Sequence, residues 1–424
     1  MAKIKQIVAT EILDSRGNPT VEATVILSDG AVGTASCPSG ASLSSYEAVE
    51  LRDRDESRYK GLGVLKAINN IDTVIAPALE GMEASKQSEI DKRMIELDGT
   101  QNKSRLGGNA ILSVSMAVSK AAAKSAVLPL FLYLRQFLKL EHEPLKMPTP
   151  IFNILNGGKH AGGNVDFQEF IIIPASSKSY QEGLQMGEEI YNMLGTTLKS
   201  KGLSTLIGDE GGFAPNLPSN SEAFSVLQTT ISQSRYRYGY DVFLGTDAAA
   251  STFFDKGQYH LREKPAGFSS KDFTLYYLQL LKDYPLLYLE DPMSEDDWDG
   301  WEALAKACPP QTMLIGDDLI STNPYRLQMA IEKKVISGVI IKPNQIGTVI
   351  EALAVVEVAR QAGLKIVVSH RSGETDDDFI ADFAVAVSAD YAKFGAPARG
   401  ERVAKYNRLT HIEKQLKSLG MQTS

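Results

Sequence analysis

The feature that most restricts the fold is a recurrence in the later two-thirds of the sequence. Short apolar runs stop at Asp247, Glu290, Asp317, Lys342, His370 and Lys393, and each stop is followed by a stretch of helical composition. The stops recur at intervals of 23 to 43 residues, the length of one strand, one helix and their loops. Two earlier strand-like runs, Ile151 to Leu155 and Phe167 to Ile173, bring the strands to eight. Eight strands wrapped by helices predict a (β/α)8 barrel for residues 141–424.

The first 140 residues have a different texture. Alternating stretches at Ile4 to Ile12 and Thr20 to Leu27 flank the turn-rich Asp14-Ser15-Arg16-Gly17-Asn18-Pro19 and predict antiparallel strands. Ala-rich runs with helical spacing follow at Val64 to Leu79 and Asn109 to Ser125. A smaller α+β domain is therefore expected over residues 1–140, with its boundary in the charged, Pro-containing stretch from Lys139 to Pro150.

Composition removes several function classes. Hydrophobic residues at 43% and charged residues at 23% of the 424 positions match a globular protein rather than a disordered or fibrous one. The net charge of −8 argues against nucleic acid as the main ligand. Cys37 and Cys308 show no metal or redox spacing. The start of the chain lacks a signal-like apolar run, and the longest apolar stretches, such as Ala126 to Leu134, are too short to span a bilayer. A cytoplasmic location without membrane insertion is expected.

In such a barrel the strand ends face the active site, so residues that terminate strands enter its mouth. Three carboxylates there, Asp247, Glu290 and Asp317, repel one another and resist burial unless a cation neutralises them. Oxygen-only donors favour Mg2+ or Mn2+; a ring of ion pairs with Lys342 and Lys393 is the alternative. Beside a bound cation, and partly buried, the Lys342 amine would lose its proton and become a general base. Glu169 and Glu210, the latter in the loop Gly208 to Phe213, are placed to share a proton and so keep an acid available. Arg371 offers a fork for phosphate or carboxylate, and Ser372 with the amides that follow is expected to open a helix that favours an anion, with Thr375 a possible N-cap.

These residues fall within longer motifs: Ile12 to Glu22, Gly208-Asp209-Glu210-Gly211-Gly212, Leu289-Glu290-Asp291-Pro292, Gly316-Asp317-Asp318-Leu319, Asn344-Gln345-Ile346-Gly347-Thr348 and Ser369-His370-Arg371-Ser372-Gly373-Glu374-Thr375. In that order they resemble the enolase (phosphopyruvate hydratase) family over nearly the whole chain. The resemblance implies an enolase-type barrel behind a small capping domain, and the glycolytic interconversion of 2-phosphoglycerate and phosphoenolpyruvate. It implies Asp247, Glu290 and Asp317 as ligands of one Mg2+, with Ser42, on the mobile loop Pro38 to Ser44, ligating a second Mg2+ that arrives with substrate. It implies Lys342 as the base at C2, Glu210 assisted by Glu169 as the acid at C3, and His160, Gln168, His370, Arg371, Ser372 and Lys393 as substrate contacts.

The chain departs from the family pattern at several points. Leu43 and Ser44 stand where Thr and Gly are usual, removing a hinge glycine. Arg54, Leu62 and Gly108 stand for Gly, Lys and Ala. Pro343 follows the base where Val is typical, and is expected to take an N–H from the strand ladder beside Lys342. The resemblance also implies a homodimer or octamer. Glu22 matches a residue that pairs across the dimer with an arginine, here replaced by His411, so the dimer is expected to weaken as pH rises. The alternatives are an enolase paralogue with altered activity, another enzyme of the superfamily that abstracts a proton beside a carboxylate, and a surface binding protein or a member of an RNA-degrading assembly. The sequence ends on Ser424, so plasminogen capture through a terminal lysine is not expected.

Overall fold

The computed structural model describes residues 2–41, 44–139 and 144–421; Ser42 and Leu43 of the expected loop lie outside the described residues. Three antiparallel strands, β1 (Ile4–Leu13), β2 (Pro19–Leu27) and β3 (Val32–Ser36), form the first sheet as the alternation predicts. Val21, Ala23, Val25 and Leu27 of β2 point inward and are buried. Against them lies the helix Gly108–Ser125, whose apolar and small residues are buried on nearly every side. The helix expected over Val64 to Leu79 is broken. It runs from Leu65 to Asn70, widens into a π turn over Ile71–Ile75 and resumes at Ala76–Leu79, where Pro77 cannot donate to the turn before it. Arg54, where the resemblance gives glycine, takes the left-handed φ of 56°.

Eight further strands close a barrel. They are β4 (Thr149–Asn156), β5 (Glu169–Pro174), β6 (Val242–Asp247) and, after a small sheet of β7 (Phe254–Asp255), β8 (Gln258–Leu261) and β9 (Lys264–Phe268), the strands β10 (Leu286–Glu290), β11 (Met313–Gly316), β12 (Gly338–Ile341), β13 (Lys365–Ser369) and β14 (Tyr391–Lys393). The order around the barrel is β10-β11-β12-β13-β14-β4-β5-β6. Ile151, Ile171, Ile173, Tyr288, Ile315, Ile340 and Val367 form a separate apolar cluster within it.

The barrel departs from uniform (β/α)8 alternation at one strand. β5 runs antiparallel to both β4 and β6. Only residues 157–168 join β4 to β5, and they hold one short 3-10 turn, Gly158–Ala161, too little chain for a crossover helix. The reversal has a chemical consequence. β5 begins at the end where the parallel strands finish, so its first residue, Glu169, enters the mouth.

The small domain is tied to the barrel by a buried polar cluster. Asp91 is 1% exposed; its carboxylate accepts from Gln87 Nε2 (2.9 Å), Ser115 Oγ (2.8 Å) and the amide of Ile350 (3.1 Å), in the first turn of the barrel helix Val349–Gln361. Burial pushes its carboxyl up to about 7. A carboxyl raised on folding binds its proton more tightly in the native state, so stability falls as pH rises from the unfolded value toward 7 and then levels off. Denaturant titrations at pH 5 and pH 8 should show the protein losing roughly 2–3 kcal/mol more than an Asp91→Asn variant over that interval. Parallel pH profiles for the two proteins would exclude Asp91 as the source. Among the described residues, no helix is long and apolar enough to cross a membrane.

Candidate active site

Strand register builds the site. Glu169 on β5 and Glu290 on β10 are each paired with Asp247 on β6, so the three carboxylates stand abreast at the mouth. Lys393, ending β14, reaches across to them: its ammonium lies 2.9 Å from Glu169 Oε2, 2.8 Å from Glu290 Oε2 and 3.9 Å from Asp247 Oδ2. Asp317 and Lys342 directly follow β11 and β12, and the Lys342 ammonium donates to Asp317 Oδ2. The ion-pair arrangement weighed from sequence is therefore what the protein's own side chains form. It also reverses the expected state of Lys342. Burial is the largest influence and lowers the amine's affinity for its proton, but the surrounding carboxylates, Asp317 first and Glu290 with it, together raise it.

Two acids not singled out from sequence complete the cluster. Asp291 accepts from the amides of Asp317 (3.0 Å) and Asp318 (2.6 Å), and carboxylate oxygens of Asp291, Asp317 and Asp318 lie within 4.8 Å of one another. Burial pushes Glu290 up to about 8, Asp318 to about 7 and Asp247 to about 6. Such a group ionises fully only with added positive charge, and its donors are all oxygen, so the residues present fit Mg2+ or Mn2+. Gln168 points the same way. Its Nε2 donates to Asp247 Oδ2 (3.2 Å), while its buried Oε1 has no hydrogen-bond partner among the described residues.

The facing wall carries His160, Glu169 and Glu210. Glu210 lies in the turn Gly208–Gly212, which is fixed to β4 by backbone bonds between Phe213 and both Ile154 and Asn156. Gly211 gives that turn its φ of 86°. Asn153 Nδ2 donates to Glu210 Oε2 (2.8 Å), His160 Nδ1 lies 3.6 Å from Glu210 Oε1, and His370 Nε2 lies 3.4 Å from Glu210 Oε2. The two carboxyls part in opposite directions. Burial raises Glu169 well above the usual range despite Lys393, whereas burial of Glu210 is outweighed by His160 and His370, which lower it well below. The pair's proton rests on Glu169.

At the rim, Arg371 is already engaged: its guanidinium forks onto Glu47 at 2.9 and 3.3 Å and donates to Asn344 Oδ1 at 3.2 Å. The helix expected to open at Ser372 does not. Residues 370–378 form a loop, and the helix starts at Phe379 with Asp378 as its N-cap. Glu374 holds the loop in that shape by accepting from the Arg371 amide (3.0 Å) and pairing with Lys405 (2.9 Å). Gly373 exchanges two backbone bonds with Ser39, and a Cβ there would collide with Ser39 and Asp14. Ser372 Oγ accepts from the Ala41 amide (2.9 Å).

The described residues on either side of positions 42 and 43 are both held by the barrel domain. On the far side Ser44 Oγ donates to Glu295 (2.5 Å), and the Tyr46 hydroxyl donates to Asp296 (2.9 Å) beneath the Arg326 guanidinium. Ser44, the residue in place of glycine, so adds a bond to the barrel. The expected ligand Ser42 lies outside the described residues. Pro343 is not in the ladder. It takes the first position of the one-turn helix Pro343–Ile346, where an amide would be unpaired in any case.

Every other site residue expected from sequence lines one polar cavity except Glu290, which pairs with Lys393 and has no exposed surface. Glu47, Ala249, Asp291 and Asp318 also line it. Comparison with protein families agrees with this architecture: residues 4–134 match the enolase N-terminal domain and residues 144–423 the enolase C-terminal TIM barrel domain. With both domains matched over nearly its whole length, the chain belongs to the enolase family and is a lyase of the enolase superfamily.

Proposed function

We propose that the protein interconverts 2-phosphoglycerate and phosphoenolpyruvate. The observation that carries this reading is the opposition of two kinds of proton-transfer group across one small polar cavity. Lys342 follows β12, Glu169 opens β5, and these strands stand four apart in the ring of eight, so the amine faces the carboxyl pair. Removing a proton beside a carboxylate and expelling hydroxide from the next carbon calls for a base on one face and an acid on the other.

Mg2+ bound by Asp247, Glu290 and Asp317, with a second ion at Ser42, would neutralise these acids and the charge that builds on the substrate carboxylate. Lys342, once its own ammonium proton has passed to solvent, accepts the C2 proton at Nζ. Glu210, with the proton resting on Glu169 as its supply, protonates the departing C3 oxygen. The C2–H and C3–O bonds break, the C2–C3 double bond forms and water leaves. In the hydration direction the ionised Glu210 already serves as the base for incoming water. Arg371 and Ser372 bind the phosphate by exchanging contacts with Glu47 and the Ala41 amide, while His160, Gln168, His370 and Lys393 orient the rest.

Adding 2-phosphoglycerate and Mg2+ to the purified protein should raise the ultraviolet absorbance of the enol phosphate. No rise under saturating Mg2+, together with turnover of an unphosphorylated 2-hydroxy acid, would assign the site to another proton-abstracting reaction.

A further inference from the structure

The helix Gly400–Ser418 is rich in Lys, Arg and Glu, yet Arg402 near its start has no exposed surface. A guanidinium has five N–H donors and no acceptor, and each donor left unmatched in the interior is destabilising. Four of the five are matched. Nη1 donates to His370 Nδ1 (2.6 Å) and to the Arg371 carbonyl (2.5 Å), and Nη2 donates to the carbonyls of Ser372 (2.6 Å) and Asp209 (3.1 Å). The fifth, on Nε, faces the Glu401 carboxylate at 3.3 Å.

The bond to His370 has a directional consequence. A group that can only donate requires a bare nitrogen opposite it, so His370 Nδ1 carries no proton. Burial holds the imidazole neutral, pushing it down to about 3. Its single proton is therefore on Nε2, which lies 3.4 Å from Glu210 Oε2 without closing a hydrogen bond among the described residues.

We infer that Arg402 is a positioning residue for the acid end of the cavity: by occupying His370 Nδ1 it locks the imidazole as the tautomer whose Nε2–H lies on the side of Glu210. The opposite tautomer would set a nitrogen lone pair against the carboxylate and drive Glu210 to take up the shared proton. The same guanidinium ties the turn bearing Glu210, through Asp209, to the loop bearing Arg371 and Ser372, so both rims share one anchor. The catalytic meaning of the lock rests on the reading of Glu210 given above; the tautomer itself does not.

The chain has five histidines, few enough for nitrogen-15 spectroscopy of the imidazoles, with His370→Gln assigning the signal. The native protein should show a pyridine-type Nδ1 and a protonated Nε2 at His370; a protonated Nδ1 overturns the inference. In Arg402→Gln, whose amide can accept as well as donate, and in Arg402→Met where it folds, the tautomers should mix. A pure Nε2–H form persisting in either folded variant also overturns it. Hydration of phosphoenolpyruvate by Arg402→Gln, the direction that needs Glu210 ionised, should fall at least about tenfold while exchange of the 2-phosphoglycerate C2 hydrogen with deuterated solvent, the Lys342 step, stays within about threefold. Equal losses in both would make Arg402 a general scaffold and sink the assignment. If the protein turns over no 2-phosphoglycerate, the proposed function fails while the imidazole spectrum still decides this inference.

Discussion

A Lys342→Ala variant should fold, bind Mg2+ at least as tightly as the parent and lose about 10²- to 10⁴-fold in kcat, the range by which a positioned general base accelerates a reaction. Both halves of that expectation come from one contact. The Lys342 ammonium donates to Asp317 Oδ2, one of the acids assigned to the ion, so amine and cation compete for the same carboxylate. Removing the amine removes the competitor and the proton acceptor together. Solvent-deuterium exchange at C2 separates this from indirect damage, because it must fall in step with overall turnover. A variant that still exchanges the C2 hydrogen at the parent rate would place the base elsewhere, and one that binds Mg2+ more weakly would contradict the competition.

The residues legible in the sequence were those whose position follows from barrel geometry. Asp247, Glu290, Asp317, Lys342, His370 and Lys393 end strands or follow them directly, and closing the sheet brings strand ends to one mouth whatever the loops do. What escaped depends on connections rather than strands. The direction of β5 follows from the short link 157–168, and its apolar run reads the same in either direction. Residues 372–375 resemble a helix start, but Glu374 pairs with Lys405, thirty-one positions on, and holds a loop instead. Pro343 looked like a missing ladder bond because the helical turn it opens is only four residues long. Asp291 and Asp318 were masked by their neighbours Glu290 and Asp317, although two acids in a row at a strand end were a usable signal. Arg402 gave none: in a helix rich in Lys, Arg and Glu, nothing local marks the one guanidinium that tertiary contacts bury.

The second large effect concerns Lys393, the ammonium set among Glu169, Glu290 and Asp247. Methionine keeps most of its length and removes its charge, leaving three buried carboxyls without their counter-ion. Breaking a buried pair from one side costs about 3–5 kcal/mol. The sign with pH follows from the carboxyls. Burial already pushes Asp247 up to about 6 and Glu290 to about 8 despite the Lys393 charge, and its loss raises them further. Groups raised on folding are harmless while protonated and destabilise as pH climbs toward their native values, so the Lys393→Met protein should be nearly as stable as the parent at pH 5 and far weaker at pH 8. Thermal unfolding without divalent ions tests this directly, and a deficit that does not grow with pH would refute it. Added Mg2+ then discriminates between the two accounts of the acidic cluster. If the acids form a metal site, the ion supplies the missing positive charge and should restore a substantial part of the stability lost at pH 8, even though catalysis stays impaired. If they exist only to pair with lysines, Mg2+ will leave the deficit where it was.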